Sequence, residues 1–162
     1  MDVRHEVMVD APAATAWQVL GKGFGAICEW MPNMTSSEMQ GELRAGGERV
    51  CRSAGWGPFP AGEVVEELLL FDEDAMEFAY VARSGLPWFI EHGENHWTIA
   101  PAGEDRCVVR MHGQLRTVWW LRWFAPLMVL GMRGAMAKMD EEMKHMIEKG
   151  TPHPRVLARA TA

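Results

Sequence analysis

Glu66 is the side chain whose setting first suggests chemistry. It stands in Glu63–Phe71, EVVEELLLF, where valines and leucines surround it. A carboxyl buried on such a strand is a candidate general acid or base. The competing expectation is an ion pair with Arg52 or Arg83 from a neighbouring strand, or a Glu66 that faces out while Glu67 points elsewhere. Tyr80 is the only tyrosine and alternates onto one face with Met76 and Phe78. Its hydroxyl suits a ligand carbonyl, or it is a core tyrosine with the hydroxyl at the rim. His92 and His96 sit in EHGENH, which invites a metal reading. On a strand, residues four apart lie about 13 Å from one another and cannot share an ion. With Trp97 and Ile99 inward, His92 and His96 point outward, as does His112 beside Met111. No metal and no cofactor is expected. Cys107 shares a face with Val109 and Met111 and reads as a small buried hydrophobe. Local sequence assembles no Ser-His-Asp or Cys-His constellation.

The elements that must position these side chains follow from periodicity. Val3, His5, Val7 and Val9 alternate with Arg4, Glu6 and Met8, a half-buried strand. Asp10-Ala11-Pro12 starts a helix, with Pro12 at its first position. Gly21, Gly23 and Gly25 break it before a second short helix, Ala26–Trp30. The run GKGFG follows a helix and has the wrong spacing for a phosphate loop. From Thr35 the texture is strands and turns: Ser36–Leu43, Glu48–Ser53, Glu63–Phe71, the strand carrying Phe78 and Tyr80, Phe89–Ile99 and Arg106–Leu115. A Gly- and Pro-rich loop, Gly55–Gly62, holds Trp56 and Phe59. This is an antiparallel meander. A long helix closes the chain, Leu127–Lys149, set off from the TVWWLRWF segment by Pro126. Met128, Met132, Met136, Met139, Met143 and Met146 recur every three or four residues along one face. Arg133, Lys138, Glu141, Glu142 and Lys144 occupy the other, with Asp140–Lys144 and Glu141–His145 as i,i+4 pairs. Gly150 and Pro152 end it. A sheet must cover the methionine face. The reading is one domain over residues 1–150 and a mobile tail, 151–162, without periodicity.

The totals narrow the function. Of the 162 residues, 48% are hydrophobic and 23% charged, and the formal net charge is -6. That balance argues against nucleic acid, whose binding rests on Lys and Arg neutralising phosphates. Three widely spaced cysteines argue against a disulfide framework and for a reducing cytoplasm. The opening residues carry Asp2, Arg4, His5 and Glu6 where a secretory signal needs an apolar run. Thirteen methionines and eight tryptophans are unusual; methionine lines adaptable binding surfaces as well as cores.

The order of elements and several local runs resemble the START-like or SRPBCC superfamily, the helix-grip fold of lipid-transfer domains and polyketide cyclase/dehydrase-like proteins. VRHEVMVDAPAATAWQVL is similar to its first strand and helix. Glu66–Asp72 with Phe78-Ala79-Tyr80 is similar to two of its strands, WTIAPAG to a turn, and EEMKHMIEKG to the closing helix. The resemblance spans about Val3–Gly150. It implies an α+β domain in which a curved antiparallel sheet of about seven strands wraps a long C-terminal helix, with two short helices after the first strand. It also implies a deep, mostly apolar cavity between sheet and helix.

The first function this predicts is binding of a small hydrophobic molecule such as a lipid, polyketide or aromatic compound. Trp30, Phe78, Tyr80 and Trp97 would line the pocket with Val109 and Met111 of the sheet. Met128, Met132 and Met136 would face them, and Glu66 and Arg52 would be polar anchors. The second is a cyclase or dehydratase in which Glu66 or Tyr80 moves a proton. A third is an interaction module using Trp119, Trp120 and Trp123 as an apolar patch. Those tryptophans with Arg122 also suit transient contact with a membrane surface, or a lid packed on the sheet edge.

Overall fold

The alternation at the start of the chain makes strand β1, Asp2–Val9, with Val9 fully buried. The computed structural model describes residues 1–31, 33–55 and 61–160, with side chains except those of 122–133 and 159–160. Most of the Gly55–Gly62 loop, with Trp56 and Phe59, lies outside the described residues. Pro12 is the N-cap of α1, Ala13–Trp17, and its carbonyl accepts from the amides of Thr15 and Ala16. The helix does not break at Gly21. It continues as a π-helical turn over Gln18–Lys22, and Gly21 fits there because the Trp17 indole occupies the space a side chain would need. A Cβ on Gly21 would lie 2.4 Å from that ring. A 3-10 segment, Phe24–Glu29, follows.

The meander is β2 (Met34–Gln40), β3 (Glu48–Ser53), β4 (Gly62–Asp72), β5 (Glu77–Ser84), β6 (Ile90–Pro101) and β7 (Cys107–Thr117). With β1 they form one antiparallel sheet in the order β1-β7-β6-β5-β4-β3-β2. The first strand therefore pairs with the last. A 3-10 segment, Trp119–Phe124, leads into α2, Ala125–Lys149, and a short α3, Pro154–Ala160, ends the description. Pro126 does not separate the two helical segments. It lies in the first turn of α2, where its missing N–H costs nothing. Gly150 ends α2 at φ 68°, its amide donating to Met146.

The core lies between the sheet, the helical arm of residues 13–30 and the C-terminal half of α2. Leu68, Phe78, Trp97, Ile99 and Val109 meet Trp17, Leu20 and Phe24 on one side and Met143 and Ile147 on the other. Met139 and Met146 pack partly buried against them. Three readings of this end change. Glu142 is 1% exposed rather than solvated, with Arg155 Nε 3.1 Å from its carboxylate. Asp140 reaches across to His5 of β1, both carboxylate oxygens within 2.8 Å of Nε2, instead of pairing with Lys144. The segment after Gly150, expected to lack regular structure, contains α3. Its Val156 is buried and its Arg155 also contacts Glu141. One apolar residue and one arginine were enough to seat it on α2, too short a signal to register as periodicity.

Candidate functional site

β3 and β4 place a buried ion pair on the concave face of the sheet. In ERVCRS the alternation sends Arg49 and Cys51 inward, 2% and 1% exposed. Register sets Arg49 opposite Glu66. Arg49 donates to Glu66 Oε2 from Nε at 2.8 Å and from Nη2 at 2.5 Å. Its Nη1 donates to the Phe24 carbonyl at 2.6 Å. The guanidinium lies 3.8 Å from the centroid of the Phe24 ring and 5.1 Å from that of Tyr80. A buried cation is costly unless its donors are satisfied, and here each guanidinium nitrogen is engaged. Burial alone would weaken its hold on the proton; the Glu66 carboxylate, followed by Tyr80, outweighs this and raises the Arg49 pKa.

The neighbours stay neutral. Burial, with Arg49 opposing, pushes the Cys51 thiol up to about 12, and its sulfur lies 3.5 Å from Glu66 Oε2. Burial, reinforced by Glu66, also raises the Tyr80 hydroxyl well above its ordinary value. Beyond Tyr80 the wall is aromatic. Phe78 stacks on Trp97 with centroids 6.0 Å apart and planes 4° apart, and Phe24 packs 5.4 Å from Tyr80. These rings, with Leu20, Ile27, Trp30 and Arg49, line a cavity of about 10 Å³, the room of one water.

An aromatic concave wall holding a buried Arg–Glu pair, under a long C-terminal helix, can now be set against known proteins. The family model for polyketide cyclase / dehydrase and lipid transport matches residues 1–148. The chain belongs to this family. No curated protein sequence matches it. Norcoclaurine synthase from Thalictrum flavum, as a point mutant with a transition state analogue, superimposes with a TM-score of 0.70 at 20% identity, covering 93% of this chain and 95% of that one. The Zhui aromatase/cyclase from Streptomyces sp. R1128 does so with a TM-score of 0.73 at 15% identity, covering 92% and 94%. A Thermobifida fusca protein reaches 0.59 at 24% identity, covering 93% and 84%. At these identities the likeness is one of fold: the helix-grip architecture, with its seven-stranded curved sheet, is shared.

Within this cyclase/dehydrase-family chain, four residues expected at a pocket converge on the small cavity: Trp30, Phe78, Tyr80 and Trp97. Glu66 joins them through Arg49. Val109 is buried on the same face, opposite Ile99, and Met111 is half-buried opposite Trp97. Met136 is half-buried on α2; Met128 and Met132 lie outside the described side chains. Arg52 is a correction. It is 66% exposed on the other face and pairs with Glu63 at 3.0 Å. Arg83 likewise pairs with Glu67 at 2.6 Å and not with Glu66. The sequence reading missed Arg49, although its place two residues from an inward Cys51 was the available signal. The histidines face out and pair with carboxylates, His96 with Glu77 at 2.5 Å, His92 with Glu94 at 3.3 Å and His112 with Asp2 at 3.1 Å. Among the described residues no group of three His, Cys, Asp or Glu is arranged to hold a metal. Trp119 is 77% and Trp120 41% exposed, and Trp88 joins them with its ring 5.7 Å from Trp120. Trp123 lies outside the described side chains. Among the described residues no helix is long and apolar enough to cross a membrane.

Proposed function

We propose that this protein binds a small hydrophobic molecule, aromatic in part, between the concave face of the sheet and α2. The observation that carries this reading is the join of two unlike surfaces, an aromatic wall (Phe24, Phe78, Tyr80, Trp97) and the buried Arg49–Glu66 pair at its side. Apolar sites with a few fixed polar groups are the usual form of small-molecule pockets. The 10 Å³ beside Trp97 takes one atom of a ligand and not its bulk. The bulk belongs along the sheet toward Met111, with Met136 of α2 opposite. Norcoclaurine synthase, a fold neighbour, has been seen with dopamine and hydroxybenzaldehyde, which supports an aromatic ligand here. Three free thiols, Cys28, Cys51 and Cys107, suit a reducing cytoplasm. Native mass spectrometry of the fresh protein tests the reading. A discrete extra mass is expected, lost in Met136→Trp. A bare chain that stays bare with fatty acids, sterols and aromatic polyketide mimics overturns it.

A cyclase or dehydratase is the second reading, and one observation favours it. Every hydrogen bond that Glu66 accepts from the described residues goes to Oε2, leaving Oε1 for a substrate proton. Tyr80 then donates a hydrogen bond and keeps its proton. Product formation from a poly-β-keto substrate, lost in Glu66→Gln with substrate still bound, is the expected result; no turnover by the unaltered protein removes the enzyme reading. Trp88, Trp119 and Trp120 support loading at a membrane surface. Co-sedimentation with neutral and anionic vesicles checks this, and no binding to either removes it.

A further inference from the structure

Trp97 is 4% exposed, and its indole N–H has no hydrogen-bond partner among the described residues. The Tyr80 oxygen is near enough to feel that N–H, but the geometry falls short of a hydrogen bond. A buried donor left unpaired is destabilising and rare in folded proteins. Trp17 has a buried N–H in the same condition, but it is packed onto Gly21, Phe71 and Phe78 and is not among the residues that line this cavity. Trp97 differs because it lines the 10 Å³ cavity with Tyr80 and Arg49. That is room for one oxygen-sized atom.

We propose that the Trp97 N–H, with the Tyr80 hydroxyl beside it, holds a carbonyl oxygen of the bound molecule, so that the protein selects neutral aromatic ketones and aldehydes over hydrocarbons of the same shape. The inference rests on the binding function proposed above. Its chemical class follows from the donors. An indole only donates, so its partner is an acceptor and not an ammonium group. A carboxylate is disfavoured, because the charge of Arg49 is already matched by the Glu66 carboxylate, which would repel a second anion. A neutral carbonyl meets both conditions.

The test uses three probes of similar shape, acetonaphthone, isopropylnaphthalene and naphthoate. They are titrated into the full chain by calorimetry and by the indole ¹H–¹⁵N resonances. Acetonaphthone is expected to bind about tenfold tighter than the hydrocarbon and tighter than naphthoate, and to shift the Trp97 N–H resonance downfield. In Trp97→Phe the ratio of ketone to hydrocarbon affinity is expected to fall to about one, whatever the affinity for the hydrocarbon. If Trp97→Phe does not fold, Tyr80→Phe and the resonance of the unaltered protein, assigned by its contacts to Phe78, decide the matter. Equal binding of ketone and hydrocarbon, or a ketone that leaves the Trp97 resonance unmoved, overturns this inference and leaves hydrophobic binding standing. Failure of all three probes to bind overturns both.

Discussion

Two arginine–glutamate pairs sit on one ladder, three residues apart, and share almost nothing else. Arg49–Glu66 and Arg52–Glu63 are both direct cross-strand partners between β3 and β4. The first is 2% and 15% exposed; the second is 66% and 48% exposed. Residue types, strand pair and sequence neighbourhood are the same, so the contrast isolates the face of the sheet. On the outer face, solvent screens the charges and side-chain entropy opposes the geometry, so the pair contributes little. On the inner face each charge depends on the other, and on the Phe24 carbonyl and ring, for what water would have supplied.

The contrast breaks first at Arg49. Arg49→Met strands Glu66 among aromatic rings and is expected to cost about 3–5 kcal/mol in urea unfolding. The double variant Arg49→Met/Glu66→Met recovers most of that loss, since replacing a whole buried pair by apolar side chains is close to neutral. A single variant costing under about 1 kcal/mol would mean that water reaches Glu66 and that the two pairs are alike. Arg155 offers an intermediate case, a half-exposed arginine on the buried carboxylate of Glu142. Arg155→Ala is expected to cost about 1.5–3 kcal/mol, as for hydrogen bonds to charged groups, read as a lowered melting temperature.

A smaller effect separates the faces by pH. The Cys51 thiol holds its proton to about 12 in the folded protein against 9.0 as an ordinary thiol. The folded state therefore binds that proton more tightly than the unfolded chain. This stabilisation is complete below pH 9 and is lost as pH rises toward 12. Between pH 9 and 10, stability should fall with a slope approaching about 1.4 kcal/mol per pH unit. Cys51→Ala should flatten it, leaving the share of Cys107, whose pKa burial also raises. Above pH 10 Tyr80 acts in the same sense. An unchanged slope in Cys51→Ala would place the titrating group elsewhere. The smallest effect belongs to the exposed pair: Arg52→Ala should change stability by about 0–1 kcal/mol, and by nothing measurable in high salt.

The same contrast explains what could be read from the sequence. Strand alternation, the methionine repeat and the order of elements led to the helix-grip fold. The aromatic wall was legible too, since Phe78 and Tyr80 share one parity of their strand and Trp97 lies between the polar His96 and Thr98. The polar anchor was not. Choosing Arg52 over Arg49 is a parity error: residues an odd number apart on one strand face opposite ways, and nothing local to β4 says which partner register brings to Glu66. Glu142 failed for another reason. Its burial depends on α3, an element of seven residues whose seat on α2 is tertiary. The helical glycines failed because Gly21 answers to the ring of Trp17 and not to helix propensity.

The pairing of β1 with β7 sets a schedule for the growing chain. Met1 donates to the carbonyl of Leu115, 114 residues away, so β1, made before the other six strands, is among the last to find its place. At roughly 5–20 residues per second of synthesis, β1 waits many seconds with Val7 and Val9 unshielded and both edges unpaired. Loop closure over such a span is slow and follows the local hairpins.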